Sequence, residues 1–331
     1  MSTAHLSLRG LAFWALGLAG LAVWGLSGEP APASLPSDGG PRLVVLGTAQ
    51  DGGLPHAGCR CTRCERARHD PAERRLVASL GLVLPAKDEL YLVDATPDLP
   101  AQLERLRTFK KAPQAERVDR KLLSGIFLTH AHMGHYIGLA QLGFEVMHTQ
   151  GVPVWATPRM AAFLKGNGPW DQLVRLQEIE LQETPPGGSV ALGDGVTVSS
   201  FAVPHRDEYS DTVAYVIQGP RSKVLYVPDT EPWRTWPTSI VDRLQGVDVA
   251  LLDGTFFSAG ELPGRDVTKI GHPLIVDSLE LLGPLVKAGK VRVIFSHLNH
   301  SNPALERGSE ARRQIEAAGF SVAEDGLTLP L

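Results

Sequence analysis

Three histidines fall within six positions at LTHAHMGH, giving His130, His132 and His135. The segment follows a short apolar run, GIFLT (125–129), and precedes an amphipathic stretch, which puts the histidines in a strand-to-helix loop. With 11 histidines in 331 residues, chance rarely places three so close together. Residues at i and i+2 of a strand-end loop point the same way, and a third at i+5 swings in from the first helical turn. Neutral imidazoles gathered like this suit a borderline metal such as zinc. The chain must therefore fold so that a buried strand ends at a place where further ligands converge.

The rest of the pattern fits that demand. From Arg42 onward, β-branched runs at 42–48, 89–95, 125–129, 152–156, 196–203, 212–217, 223–227, 247–252 and 291–296 read as strands. Apolar residues spaced three and four apart predict helices over 99–109, 133–142, 159–164 and 278–288. Many strands interleaved with helices indicate one α/β layered domain over 42–331. Polar 114–120 and Gly-rich 258–271, which carries Asp266 and Lys269, read as loops.

The formal charge of −4, with no long Lys/Arg cluster, argues against a nucleic-acid partner. Gly10 to Gly28 contains no charged residue and follows Arg9. A basic start before an apolar run is the layout of an export signal, and the run is also close to the ~20 residues of a spanning helix. Residues 1–28 are thus a signal peptide or an N-terminal membrane anchor, and 29–41 (EPAPASLPSDGGP) a linker. The expected location is the periplasm or the outer face of the inner membrane.

The histidine segment resembles the His-x-His-x-Asp-His motif of the metallo-β-lactamase superfamily, with Gly134 where that motif has Asp. The resemblance implies a four-layer αββα sandwich with its site along one edge of the two sheets. His205, Asp229 and His297 stand at strand ends in the order that the family's remaining ligands take. The implied first metal site is His130, His132, His205 and Asp229, and the second is Asp229, His135 and His297. Without a carboxylate at Gly134 the second site is expected to be weak, and Gly134→Asp to strengthen it unless the backbone there is closed to other residues. Alternatively, Asp51 or Asp94 takes the vacant place. Asp94 is otherwise expected to orient a metal-bound histidine.

All the cysteines lie in HAGCRCTRC, as Cys59, Cys61 and Cys64. An odd cluster fits a disulfide framework badly. Three thiolates with His300 as the fourth ligand would make a closed structural zinc site, the competing readings being a Cys61–Cys64 disulfide or reduced thiols. GTAQDGGLPHAGCRCTRCERAR and His297-Leu298-Asn299-His300 resemble the cyclic-phosphate phosphodiesterases of phosphonate degradation and the pyrroloquinoline quinone (PQQ) synthesis protein B family. DATPDLPAQL (94–103), LLDGTFF (251–257) and Gly271-His272 are closer to the latter, although this chain keeps both leading histidines of the motif.

These likenesses imply a metal-dependent hydrolase of a small-molecule ester, lactone or phosphodiester, with one or two Zn²⁺ or Mn²⁺ acidifying the attacking water. Asp229 and His272 are the candidate catalytic residues, and His56 is a further candidate acid or substrate contact. Two rival readings stand beside this one. The first is an iron-dependent oxygenase in quinone-cofactor metabolism, with Fe²⁺ on two histidines and one carboxylate. The second is a non-catalytic periplasmic binding or transport accessory.

Overall fold

Alternate residues along the central strands are buried on opposite faces, which is how a strand between two apolar layers must read. In the strand Arg42–Gly47, Leu43 and Val45 enter one core while Val44 and Leu46 enter another. The computed structural model describes residues 39–111, 118–261, 264 and 271–331. The apolar run 10–28, most of the linker, Asp266 and Lys269 lie outside the described residues. Among the described residues, no helix is long and apolar enough to cross a membrane.

The strands are β1 (Arg42–Gly47), β2 (Ser79–Leu84), β3 (Glu89–Val93), β4 (Gly125–Phe127), β5 (Val152–Ala156), β6 (Ile179–Glu183), β7 (Ser189–Gly193), β8 (Val196–Ala202), β9 (Val213–Gln218), β10 (Lys223–Val227), β11 (Val249–Asp253), β12 (Arg292–Ser296), β13 (Ser321–Val322) and β14 (Thr328–Pro330). They form two sheets, ordered β14-β1-β2-β3-β4-β5-β6 and β13-β12-β11-β10-β9-β8-β7. The helices are α1 (Thr62–His69), α2 (Leu99–Arg107), α3 (Met133–Tyr136), α4 (Pro158–Gly166), α5 (Trp170–Arg175), α6 (Ile240–Arg243), α7 (Ile275–Lys287) and α8 (Glu310–Ala317).

Three apolar cores fix the layering. Leu43, Val45, Tyr91, Phe127, Tyr215, Tyr226 and Ile294 meet between the sheets. Outside the first sheet, Leu92 and Val154 pack with Leu99, Leu106, Met160 and Leu173 of α2, α4 and α5. Outside the second, Leu225, Val293 and Phe295 pack with Ala67, Ile240, Ile275, Leu282 and Ile315 of α1, α6, α7 and α8. The fold is therefore the expected αββα metallo-β-lactamase sandwich.

Strand direction then decides where the chemistry sits. β3 and β4 run parallel, as do β10, β11 and β12. β1 and β8 reach the same directions through two antiparallel steps each. All seven of these strands end along one edge of the sandwich, and Asp51, Asp94, His130, His205, Asp229, Asp253 and His297 are at or just beyond those ends. The sheets are joined at this edge, where Val213 N donates to Thr129 O at 3.1 Å and the Tyr215 hydroxyl to Leu128 O at 2.6 Å.

Two expectations change. The strand foreseen over 125–129 stops at Phe127, because Thr129 N leaves the ladder to donate to the Asp94 carboxylate at 2.8 Å. The helix foreseen over 133–142 is one α-helical turn, α3, followed by a 3₁₀ segment Ile137–Leu142. Gly138 lets that segment lie on the backbone after β3. A Cβ there would overlap Thr96 O and stand 2.9 Å from Ala95 O, which already accepts the Gly138 N–H. Gly138→Ala is expected to destabilise the protein by at least about 1–3 kcal/mol, as overpacking against backbone does. A urea midpoint equal to wild type would contradict the close-docking account.

Candidate metal centre

Two strand-end aspartates organise the imidazoles by the same device. Asp94, just after β3, accepts from the Thr129 hydroxyl at 2.9 Å, and Thr129 Oγ1 lies 2.9 Å from His130 Nδ1. A hydroxyl has one proton to give. Having donated it to Asp94, Thr129 accepts from His130 Nδ1–H, which leaves the His130 Nε2 lone pair for the centre. In the other sheet Asp253, at the end of β11, accepts from the Thr255 hydroxyl at 2.7 Å, and Thr255 Oγ1 lies 2.9 Å from His297 Nδ1. His297 Nε2 is freed in the same way. Asp94 also holds His135 Nδ1 directly, at 2.7 Å. Asp94 and His297 both have positive φ, 67° and 59°, a conformation uncommon outside glycine and concentrated at functional sites.

The freed nitrogens converge on Asp229. Its Oδ2 is 3.4 Å from His130 Nε2, 3.1 Å from His205 Nε2, 3.8 Å from His132 Nδ1, 3.8 Å from His135 Nε2 and 4.0 Å from His297 Nε2. Donor atoms of His130, His132, His205 and Asp229 all lie within 4.8 Å of one another, and so do those of Asp51, His135 and His297. The Nε2 atoms of His130, His135 and His297, with Asp229 Oδ1 and Asp51 Oδ1, are buried with no hydrogen-bond partner. Buried polar atoms are seldom left unpaired, and these point their lone pairs at a common space. Such a donor set fits a divalent cation.

The charges agree. Burial opposes ionisation of Asp229, but the surrounding His205, His272 and His297 hold its carboxyl well below the usual range. Burial likewise opposes the Asp51 charge, and His135 and His297 override it. His130 is pushed well below the ordinary imidazole value by burial and by neighbouring His135, so it is neutral and ready to ligate. His135 goes the other way: burial lowers it, but Asp94 and Asp51 raise it well above the ordinary value. The edge demands positive charge.

His272 completes the edge. Its Nδ1 is 2.9 Å from Asp253 Oδ2 and 3.2 Å from Asp229 Oδ1. Burial lowers its pKa, yet Asp253 and Asp229 raise it to about 9. The sequence reading missed Asp253, although its place at a strand end matches that of Asp94. It also missed Thr129, Thr255 and Glu208, whose Oε2 is 3.0 Å from His132 Nε2. No spacing singles out a threonine or a loop glutamate.

Two expectations about Gly134 are corrected, and His56 is placed. Gly134 has no positive φ, so its backbone does not exclude a side chain. The obstacle is Asp51: a Cβ on Gly134 would overlap Asp51 Oδ1 and stand 2.7 Å from its Cγ. Gly134→Asp therefore crowds the second site, where strengthening was expected. His56 is not among the groups converging on Asp229. Its ring lies 4.3 Å from that of His300, and its backbone N–H donates to Cys64 Sγ at 3.3 Å, so it belongs to the cysteine cluster.

In that cluster the Cys59, Cys61 and Cys64 sulfurs lie within 4.8 Å of one another and all are free thiols, so there is no Cys61–Cys64 disulfide. His300 is not within that close set, although its Nδ1 is buried without a partner. Burial pushes Cys64 up to about 12, helped by the neighbouring thiols. For Cys61 the opposing pull of the Cys64 backbone N–H and the Cys59 thiol prevails over burial, and its pKa is lowered.

A family model described as a β-lactamase superfamily domain matches residues 90–298. Coenzyme PQQ synthesis protein B of Methylobacterium sp. (strain 4-46) is 30% identical over 88% of this chain and 100% of its own length. The protein of that name from Rhizobium meliloti (strain 1021) is 27% identical over 88% and 98%. Among solved structures, Zn(2+)-bound PqqB from Methylobacterium extorquens matches with a TM-score of 0.73 at 24% identity, covering 88% of this chain and 100% of that one. A diphosphatase from the PhnP family matches with a TM-score of 0.62 at 23% identity, covering 88% and 97%.

The Asp94 arrangement yields a direct expectation. Asp94→Asn keeps the shape but loses the charge that holds His135 and Thr129, and zinc affinity should fall about 10–100-fold, as when other outer partners of ligands are lost. Isothermal titration of metal-stripped protein reads this. An unchanged affinity would mean that Asp94 only supports the backbone.

Proposed function

The chain belongs to the β-lactamase superfamily, and on that footing we propose that it is a metal-dependent hydrolase of an ester, lactone or phosphodiester bond in a small molecule. The observation that carries this reading is the convergence of unpartnered, buried imidazole and carboxylate atoms on Asp229. His130, His132, His205 and Asp229 would hold one cation, and His135, His297 and the same Asp229 a second. Divalent cations there would lower the pKa of a water towards neutrality and draw electrons from the carbonyl or phosphoryl oxygen.

The chain's own groups do the remainder. Asp229, ionised and facing imidazoles from both sheets, orients the water about to attack. His272 is held by Asp253 and Asp229 and is the group placed to give a proton to the leaving oxygen.

A panel of generic phosphodiesters, esters and lactones tests the reading with zinc- and manganese-loaded protein. Turnover of one class is expected, abolished by chelation and restored by metal. His272→Ala should lower kcat about 10²–10⁴-fold, the range for a lost general acid, with metal content unchanged. A protein that is inert on every class, with its metal in place, would contradict hydrolysis.

A second reading rests on the grouping of His272 and His297 with Asp229 and Asp253, within 4.8 Å of one another, and on the PQQ synthesis protein B relatives. Two histidines and carboxylates are a composition used by ferrous oxygenases. Iron retained after anaerobic purification, with oxygen uptake on quinone-type molecules, would favour it over hydrolysis. If neither chemistry occurs and small molecules still bind, the chain is a binding accessory.

Cys59, Cys61 and Cys64 are proposed to hold a structural zinc, with the buried, unpartnered His300 Nδ1 turning in as fourth donor. Cys61→Ser is expected to remove about one zinc per chain and to lower the melting temperature, with the histidine-edge metal retained. Unchanged zinc content in this variant would end that assignment.

A further inference from the structure

The position of Asp51 explains how the chain does without a carboxylate at residue 134. The turn after β1 is fastened to the segment that follows His297: Gln50 N donates to Leu298 O at 2.9 Å, and Ala49 pairs with Leu298. Gly53, with φ +66°, closes the turn by donating to Gln50 O at 2.7 Å. Gly52 has no room for a side chain, since a Cβ there would overlap the His56 ring. The turn is thus built to hold Asp51 at one place. Its Oδ1 is 3.5 Å from His135 Nε2 and 3.9 Å from His297 Nε2, buried and without a hydrogen-bond partner, although 39% of the side chain is exposed. The same Oδ1 fills the space that a Gly134 Cβ would enter.

We infer that Asp51 supplies, from the end of β1, the carboxylate that Gly134 lacks, so that the second cation is held by Asp51, His135, His297 and Asp229. The two positions are alternatives for one oxygen. An aspartate at 134 and another at 51 would put two like charges into one space, whereas glycine at 51 removes the overlap with Oδ1 and Cγ and leaves the residue 51 Cα, 2.8 Å from a Cβ at 134, for the turn to yield by. The second site is then complete and binds firmly. A cation there would also lie against the turn that leads into the cysteine cluster.

This inference rests on the metal-dependent reading of the site, and its test is made on zinc content so that the two can fail separately. Wild type, Asp51→Asn, Gly134→Asp and the double variant Asp51→Gly/Gly134→Asp are loaded with zinc and dialysed against graded chelator. Zinc per chain is measured by elemental analysis, and folding is checked by melting temperature at saturating zinc. Each single variant is expected to release about one zinc at a chelator concentration at least about tenfold lower than wild type, a minimum set by what even outer-partner losses cost. The double variant, in which a Cβ at 134 still presses on the residue 51 Cα, should retain zinc better than either single variant. Asp51→Asn retaining zinc as wild type does would overturn the inference. So would a folded double variant that releases zinc as readily as Asp51→Asn. Asp51-dependent zinc in a chain that hydrolyses nothing would sink the hydrolase proposal and support this one. Hydrolysis with zinc indifferent to Asp51 would do the reverse.

Discussion

Asp229 is a buried carboxylate, 3% exposed, standing where two sheets meet. An ionised carboxylate withdrawn from water costs several kcal/mol unless opposite charge and hydrogen bonds are supplied. Imidazoles from three separate strand-end segments face it, and His272, from the loop before α7, stands 3.2 Å from its second oxygen. The edge therefore has to hold positive charge, either as protonated histidines or as cations. Protonation spends the very lone pairs that the Thr129 and Thr255 hydroxyls have set free, so the hydrogen-bond network favours cations.

The sandwich makes this arrangement possible without strain in its core. Side chains between and outside the sheets are mostly apolar, and the polar residues of the site are carried past the last ladder bonds. Parallel pairing of β3 with β4 and of β10, β11 and β12 sends successive strand ends to one edge. Asp94 and Asp253 repeat one solution in the two sheets, each fixing a threonine that fixes a histidine. Asp94 and His297 carry positive φ at this edge, while Asp88, His148, Gln177 and Asp194 carry it in turns and loops elsewhere.

Much of this was legible in the sequence, and the reasons differ by element. Continuous apolar runs such as 42–48 and 223–227 are strands as read, because burial on both faces leaves a strong signal. β2, SLGLVL, was missed, its glycine breaking the pattern. Gly81 is there because a side chain would press on Leu106, with a Cβ 3.1 Å from Leu106 Cγ. Helix α1 was hidden inside the cysteine segment, whose composition drew attention to ligands. The histidines and Asp229 were found because a metal-type cluster has a spacing and an order along the chain. Asp253, Thr129, Thr255 and the place of Asp51 beside Gly134 depend on which strand ends are neighbours in space, which only the folded sheets reveal.

The central claim is that the edge around Asp229 is a metal centre of nitrogen and oxygen ligands, distinct from the sulfur cluster. Anomalous diffraction at the zinc edge, from crystals of zinc-loaded protein, tests it most directly. The account predicts anomalous peaks beside Asp229, one among His130, His132 and His205 and one among His135, His297 and Asp51. Zinc found only among Cys59, Cys61 and Cys64, with the histidine edge holding water alone, would contradict it.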